Sequence, residues 1–369
     1  MIFVSVSYHY SADINNPQDW FRRLKIFIGS WELIAKQHKV IRVERINYEG
    51  AITHQGIKFQ FLHPKKFNRR WPWKMHRLIR SLKPDIVIVH GLHYPLQTIQ
   101  LRLQLPSHVK IIAQHHAEKP FTGVKKYIQH LASHCVDAYL FASRKMGEDW
   151  VARGNIQSAR KIHEVMEVSS AFKPMDRAQA RLKTNVQGDP IFIWVGRLNR
   201  NKDPLTVVNA FLRFCDYQPS ARLIMIYQTH EILAKLEIIL KHEKGQQVQL
   251  VGSIVHEDMV SWYNSADFVI STSHYEGSGT AVCEAMSCGC IPILSDIDSF
   301  RAITGEFRCG LSFQAGDEEG LLEKLLLATQ LNRMEECKKT IERFKQALSF
   351  EAIAEKIQTL ATSLIETTR

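Results

Sequence analysis

Short apolar runs alternate with stretches of helical spacing along most of the 369-residue chain. Runs of that length, bounded by turn-forming residues and separated by amphipathic segments, predict strands joined by crossover helices. The parallel sheets of an α/β protein follow from that order. In the first half the predicted strands are 2–7, 40–43, 59–62, 85–90, 109–114, 138–142 and 161–168. The alternation then breaks. Phe172-Lys173-Pro174 begins a crossover, and 175–188 is polar with helical spacing. Strands resume at 191–196, 223–226, 248–250, 268–271 and 291–294, and an amphipathic segment occupies 349–368. Two strand–helix domains are predicted, 1–174 and 189–348, with a linker at 175–188 and a C-terminal helix over 349–369. No internal repeat or low-complexity segment interrupts them, and the length allows each domain its own core.

Charge divides unevenly between the halves. Residues 1–188 hold 30 Lys and Arg against 13 Asp and Glu, a net of +17, while the remainder holds 18 against 24. The basic half is expected to meet something anionic. No nucleic-acid reader motif is present, so an anionic membrane surface or a phosphate-bearing acceptor is the expected partner. The densest basic stretch runs from Lys65 through Arg69, Arg70, Lys74 and Arg77 to Arg80, with Trp71 and Trp73 inside it. Such aromatics either sit at a headgroup interface or pack inward from a solvated helix; the sequence leaves both open. Seven cysteines without a regular framework predict a reducing compartment. With no signal peptide or apolar run of membrane-spanning length in the sequence, the expected location is cytoplasmic.

Two motifs carry the chemistry. The first is the run from His274 to Pro292, where Glu276-Gly277-Ser278-Gly279-Thr280 follows an apolar strand and opens a short helix that bears Glu284. Gly289 and Pro292 are placed to stop that helix. Glycines at a strand–helix junction let backbone N–H groups approach a phosphate, and the helix N-terminus adds unpaired donors. Carboxylates beside a phosphate would repel it unless they address hydroxyls, which a carboxylate recognises well. Cys283, Cys288 and Cys290 lack zinc spacing and are expected to be buried structural residues. The second motif is Val195-Gly196-Arg197-Leu198-Asn199-Arg200-Asn201-Lys202-Asp203-Pro204, a strand end followed by an N-cap aspartate and an N1 proline. It sets Arg197 and Lys202 in one loop, where a guanidinium and an ammonium suit a diphosphate.

Together these motifs, with the Val251-Gly252-Ser253-Ile254 turn and Trp262-Tyr263-Asn264-Ser265-Ala266-Asp267, resemble the retaining glycosyltransferases of the GT-B fold, specifically family 4. The resemblance covers most of the C-terminal half. It implies two Rossmann-like domains facing a central cleft, an N-terminal acceptor domain and a C-terminal nucleotide-sugar donor domain, with the last helix crossing back to the former. It implies Arg197 and Lys202 on the donor diphosphate, Glu276 on the transferred sugar and Glu284 on the nucleotide ribose. Gly252, Ile254, Gly277, Ser278, Gly279 and Thr280 would line the donor. A histidine after a central strand of the N-terminal domain faces the sugar in that family. His116 is the candidate here by its offset from Pro120-Phe121, ahead of His90, His93 and then His9. Two departures stand out: Ile224 to His230 replaces a glycine-rich turn, and Tyr8-His9-Tyr10-Ser11-Ala12-Asp13 replaces a glycine-rich first loop.

The expected activity is metal-independent transfer of a sugar from a nucleotide-diphosphate donor to a hydroxyl acceptor, with retention. The acceptor would be a glycan, a lipid-linked molecule or a small molecule, and no cofactor is implied. Asp296-Ile297-Asp298 has the spacing of a metal-binding pair but falls after the next strand. The alternatives are a non-catalytic sugar-nucleotide binder or another GT-B enzyme, such as a phosphorylase or an epimerase.

Overall fold

The computed structural model describes residues 1–64, 70–241 and 243–367. The chain forms two compact units, Met1–Ser169 with Phe350–Arg369, and Ser170–Ser349.

The first unit is built on β1 (Ile2–Ser11), β2 (Lys39–Ile46), β3 (Gly50–His54), β4 (Ile57–Leu62), β5 (Ile86–His90), β6 (Lys110–Gln114), β7 (Ala138–Phe141) and β8 (Ile162–Glu164). They form one sheet in the order β3-β4-β2-β1-β5-β6-β7-β8. All pairings are parallel except the β3–β4 hairpin at one edge. That hairpin turns through Gln55 and Gly56, both at positive φ, the geometry of a two-residue hairpin loop. β1 runs past the predicted 2–7 to Ser11, so the chain needs no glycine-rich turn after Ser7. Tyr8 is buried there and shares a 2.8 Å hydrogen bond with His76. The helix Pro17–Ala35 begins as its residues dictate: the Asn16 side chain accepts from the Gln18 and Asp19 amides, and Pro17 stands at N1. The last helix, Phe350–Glu366, packs on Pro17–Ala35 as part of this unit.

The second unit holds β9 (Ile191–Gly196), β10 (Arg222–Tyr227), β11 (Val248–Gly252), β12 (Phe268–Ser271), β13 (Ile291–Ser295) and β14 (Leu311–Phe313). The sheet order is β11-β10-β9-β12-β13-β14, parallel throughout. Alternate residues of the same strands enter different cores. Phe192, Trp194, Phe268 and Ile270 meet Phe211 and Phe214 on one face, and Ile191, Ile193 and Val269 meet Met259 and Tyr263 on the other. Burial on both faces explains why these strands read as unbroken apolar runs.

Residues 175–188, read as a linker, contain the helix Arg177–Thr184, which packs on the helix Met259–Ser265. Its arginines converge on Asp267, which is 1% exposed. Arg177 Nη1 and Arg181 Nη2 donate to that carboxylate, the Ile191 amide donates at 2.8 Å, and Arg333 lies 3.4 Å away. Asp267 therefore ties the helix to the start of β9. Removing one partner of a buried ion pair costs about 3–5 kcal/mol, and the half-exposed arginines put Asp267→Ala at the low end. Urea unfolding of this variant should show a lower midpoint with an unchanged slope.

Candidate active site

Both predicted loops of the second unit lie at the carboxyl ends of strands, and side chains stitch them together. After β9 the Leu198 amide donates to Thr229 Oγ1 at 2.9 Å, and the Lys202 amide to Asn199 Oδ1 at 3.0 Å. Asn201 Nδ2 donates to the Tyr275 carbonyl at 2.9 Å, while the His274 amide donates to the Asn201 carbonyl at 2.8 Å. Thr272 Oγ1 sits 2.7 Å from the Lys202 carbonyl and 2.8 Å from that of Asp203. Asp203 caps the helix Pro204–Phe214, as its sequence predicts. These bonds hold Lys202 against Glu276: Nζ donates to Oε1, and Ser273 Oγ donates to the same oxygen at 2.6 Å. Arg197 is exposed and makes no ion pair among the described residues.

The helix Thr280–Ser287 starts at Gly279, whose φ of +54° lies in the left-handed region. A Cβ there would also stand 2.9 Å from Ile303 and 3.0 Å from Phe300, so glycine is required twice over. Among the described residues no side chain caps this helix; the Val282 and Cys283 amides donate to the Gly279 carbonyl at 3.0 Å, which leaves those of Thr280 and Ala281 to an incoming anion. Ser278 is buried, and Gly277 and Thr280 are half-buried. Gly252 ends β11 at positive φ, and Ile254 packs on the core behind it.

Glu284 is buried and fully engaged. Its Oε1 lies 2.7 Å from His256 Nε2, and Oε2 accepts from the Tyr263 hydroxyl at 2.9 Å. Burial, then the carboxylate itself, push the Tyr263 phenol well above its ordinary pKa, so it stays a donor. Phe172 lies over His256 at 5.0 Å between ring centres. His256, half-exposed, is the replaceable partner of this carboxylate. Burial also raises the thiols of Cys283 and Cys288 to about 12.

In the first unit, His9, His90, His93 and His116 all line one cavity of about 400 Å³. His115 points elsewhere, into the core, where it stacks on Phe141 and lies 2.8 Å from the Glu118 carbonyl. Glu118 clasps the loops after β5 and β6, accepting from the Leu92 amide at 2.8 Å and the His116 amide at 2.6 Å. The His116 ring is committed at both nitrogens. Nε2 lies 3.0 Å from His90 Nδ1, Nδ1 bonds Glu167, and His90 Nε2 reaches Ser5 Oγ at 2.8 Å. With both rings neutral, each O–H or N–H in this chain points from Ser5 towards Glu167. Burial works against a charged His116, but the Glu167 carboxylate outweighs it and raises the pKa. Burial, Arg42 and His116 hold His90 well below the ordinary value.

His116 thus belongs to the first unit, and Arg197, Lys202, Glu276 and Glu284 to the second. Thr229, His256 and Glu167 carry no role in the sequence reading, since each matters through a contact distant along the chain; Ser273, three residues before Glu276, carries none either. Tyr263 stood inside a quoted motif without a role. Lys65, Lys66 and Arg69 of the basic stretch lie outside the described residues. Trp71 and Trp73 do not pack inward: they are 38% and 46% exposed and stack on each other at 6.5 Å.

Residues 176–347 match the family model described as Glycosyl transferases group 1. A stretch of 116 residues is 32% identical to the GDP-mannose:cellobiosyl-diphosphopolyprenol alpha-mannosyltransferase of Xanthomonas oryzae pv. oryzae, covering 31% of this chain and 30% of that protein. The yeast phosphatidylinositol N-acetylglucosaminyltransferase GPI3 subunit is 24% identical over 130 residues, 35% of this chain and 29% of the relative. The chain thus spans under a third of the length of these curated relatives. Among solved structures, sucrose-phosphate synthase from Thermosynechococcus elongatus superposes with a TM-score of 0.73 at 18% identity, covering both chains fully. Anabaena HepE in complex with UDP gives 0.75 at 12% identity, over 98% of this chain and 100% of that one. The likeness to these solved structures shows the GT-B fold.

Proposed function

We propose that this protein moves a sugar from a nucleotide-diphosphate donor to a hydroxyl acceptor with retention of configuration and without a metal. The observation that carries the reading is the Lys202–Glu276 pair, a cation and a hydroxyl-binding carboxylate held beside each other by the two loops. Lys202, Arg197 and the uncapped turn at Gly279 would take the diphosphate, Glu276 the transferred sugar and Glu284 the ribose. The bond from the anomeric carbon to phosphate oxygen breaks, its electron pair stays on the diphosphate, and the cations stabilise that charge. The acceptor hydroxyl bonds to the same face of the anomeric carbon and gives its proton to the departing phosphate. For His116 to meet the sugar, Nε2 must exchange His90 for a sugar hydroxyl.

The relatives' names point to different donors, so the test is a melting screen with UDP, GDP, ADP and their sugars. A bound donor should raise stability by about 2.7 kcal/mol at 100-fold excess over its dissociation constant. Product NMR should then show the anomeric configuration of the donor, formed without added phosphate. If no nucleoside diphosphate shifts the melting curve, the reading fails; a phosphate requirement would make it a phosphorylase.

The first unit would meet an anionic membrane through Trp71 and Trp73. Arg70, Lys74, Arg77 and Arg80 stand exposed beside them, while Met75, His76 and Ile79 anchor the helix Trp73–Ser81. No helix among the described residues is long and apolar enough to cross a membrane, so the contact would be peripheral, from the cytoplasmic side. Each basic residue contributes about 1 kcal/mol at such a surface, screened by salt. Sedimentation with anionic vesicles should fall steeply between low and moderate salt. Reversing Lys74 and Arg77 to Glu should remove most of it, and binding to neutral vesicles of equal strength would refute the contact.

A further inference from the structure

The cavity of the first unit has a floor that a parallel sheet does not need. Arg42 pairs in register with Ser5, Ser7 with His90, and His90 with Gln114. Glu44, two residues beyond Arg42, shares its face. A polar row thus crosses β2, β1, β5 and β6 where covered parallel strands are ordinarily apolar. The helices that line it add a mostly apolar roof, Trp20, Leu24, Phe27 and Trp31 with Ile353 and Ile357, in which Arg23 and Ser30 are the polar exceptions.

Arg42 and Glu44 are 4% and 1% exposed and form an ion pair through Nε, Nη2 and Oε1. Arg42 Nη1 and Glu44 Oε2, both buried, have no hydrogen-bond partner among the described residues. Burial raises the Glu44 pKa and the Arg42 guanidinium opposes it, while the Trp20 indole Nε1 nearby is a further buried donor without a hydrogen-bond partner among the described residues. An unmet buried donor or acceptor is destabilising, the more so when charged. The pair therefore offers one donor and one acceptor at zero net charge.

We propose that this cavity binds an uncharged, polyhydroxylated ring, with Arg42 and Glu44 reading adjacent hydroxyls and the aromatic roof covering its C–H face. A phosphate would satisfy Arg42 and be repelled by Glu44. A lipid chain would leave both atoms unmet. A hydroxyl pair donates and accepts, so it satisfies both. The volume falls within the roughly 300–1,000 Å³ of small-molecule pockets. That the ring is the acceptor of the transfer rests on the reading above; its binding does not.

Saturation-transfer NMR on the full chain tests this with methyl glycosides of glucose, mannose and N-acetylglucosamine, competed by glucose 6-phosphate and inorganic phosphate. At least one glycoside should bind saturably, and neither phosphate should displace it. Glu44→Gln should weaken that binding at least tenfold. The double variant Arg42→Met with Glu44→Leu should abolish it without leaving a lone buried charge, as its melting curve would verify. Nucleoside-diphosphate binding should be unchanged in both. Absence of glycoside binding, displacement by phosphate, or full binding by the folded double variant overturns the inference. Glycoside binding in a chain that binds no nucleotide would sink the transfer reading alone.

Discussion

Lys202→Ala should weaken nucleoside-diphosphate binding by about 10- to 150-fold, the equivalent of the roughly 1.5–3 kcal/mol of a charge-assisted hydrogen bond. The free nucleoside, which lacks the diphosphate, should bind almost as before. Lys202 also neutralises Glu276, whose side chain is 13% exposed. The Lys202→Ala protein then presents an uncompensated carboxylate to the incoming diphosphate. Adding Glu276→Gln should recover part of the lost affinity, although turnover stays low because the sugar contact is gone. Arg197→Ala should cost less than Lys202→Ala, since that exposed side chain has no ion pair among the described residues to order it before the ligand arrives. Calorimetry on the parent, Lys202→Ala, Glu276→Gln, their double variant and Arg197→Ala with diphosphate and nucleoside checks this. Equal losses for the two ligands would remove Lys202 from the diphosphate, and full additivity of the two substitutions would remove the coupling.

What could be read from the chain depended on whether the determinants lay close in sequence. The loop after β9 was legible because Asp203 and Pro204 announce a helix start and the preceding strand is apolar on both faces. Gly279 was legible because a strand–helix junction needs its positive φ. The predicted β1 stops at Ser7 because Tyr8 to Ser11 look like a polar loop; Tyr8 is buried against His76, 68 residues away, and Tyr94. The β3–β4 hairpin was missed although Gln55-Gly56 carried its turn signal. Arg42 and Glu44 concealed the length of β2, since charges two apart argue against a central strand until a cavity is known to lie above them. The glycine-rich turn absent after β10 is replaced by a contact, Thr229 Oγ1 accepting from Leu198, and no local pattern reports it. Nor does any local pattern report what holds the helix Arg177–Thr184, because Arg177 and Arg181 find Asp267 some ninety residues on.

Glu284→Ala should act differently from Lys202→Ala, and the contrast separates the two carboxylates. A ribose-binding acid serves nucleoside and nucleoside diphosphate alike, so both ligands should lose affinity together, by about tenfold or more for a charged hydrogen bond. The fold should suffer too. The Tyr263 hydroxyl is fully buried and would lose its acceptor, at about 1–3 kcal/mol. Glu284→Gln separates the two effects, because an amide oxygen can still accept from Tyr263. Its melting temperature should stay close to that of the parent while nucleotide affinity falls. A 2′,3′-dideoxynucleoside diphosphate supplies the ligand half of the cycle. It should bind the parent about as weakly as the ordinary ligand binds Glu284→Gln, and the variant should not discriminate between them. His256→Ala should have the opposite sign from either change, since it frees Oε1 for the ribose and should hold or raise affinity. If Glu284→Gln still prefers the ribose ligand by the full parental ratio, the carboxylate is a structural anchor for Tyr263 and His256, and the ribose site lies elsewhere.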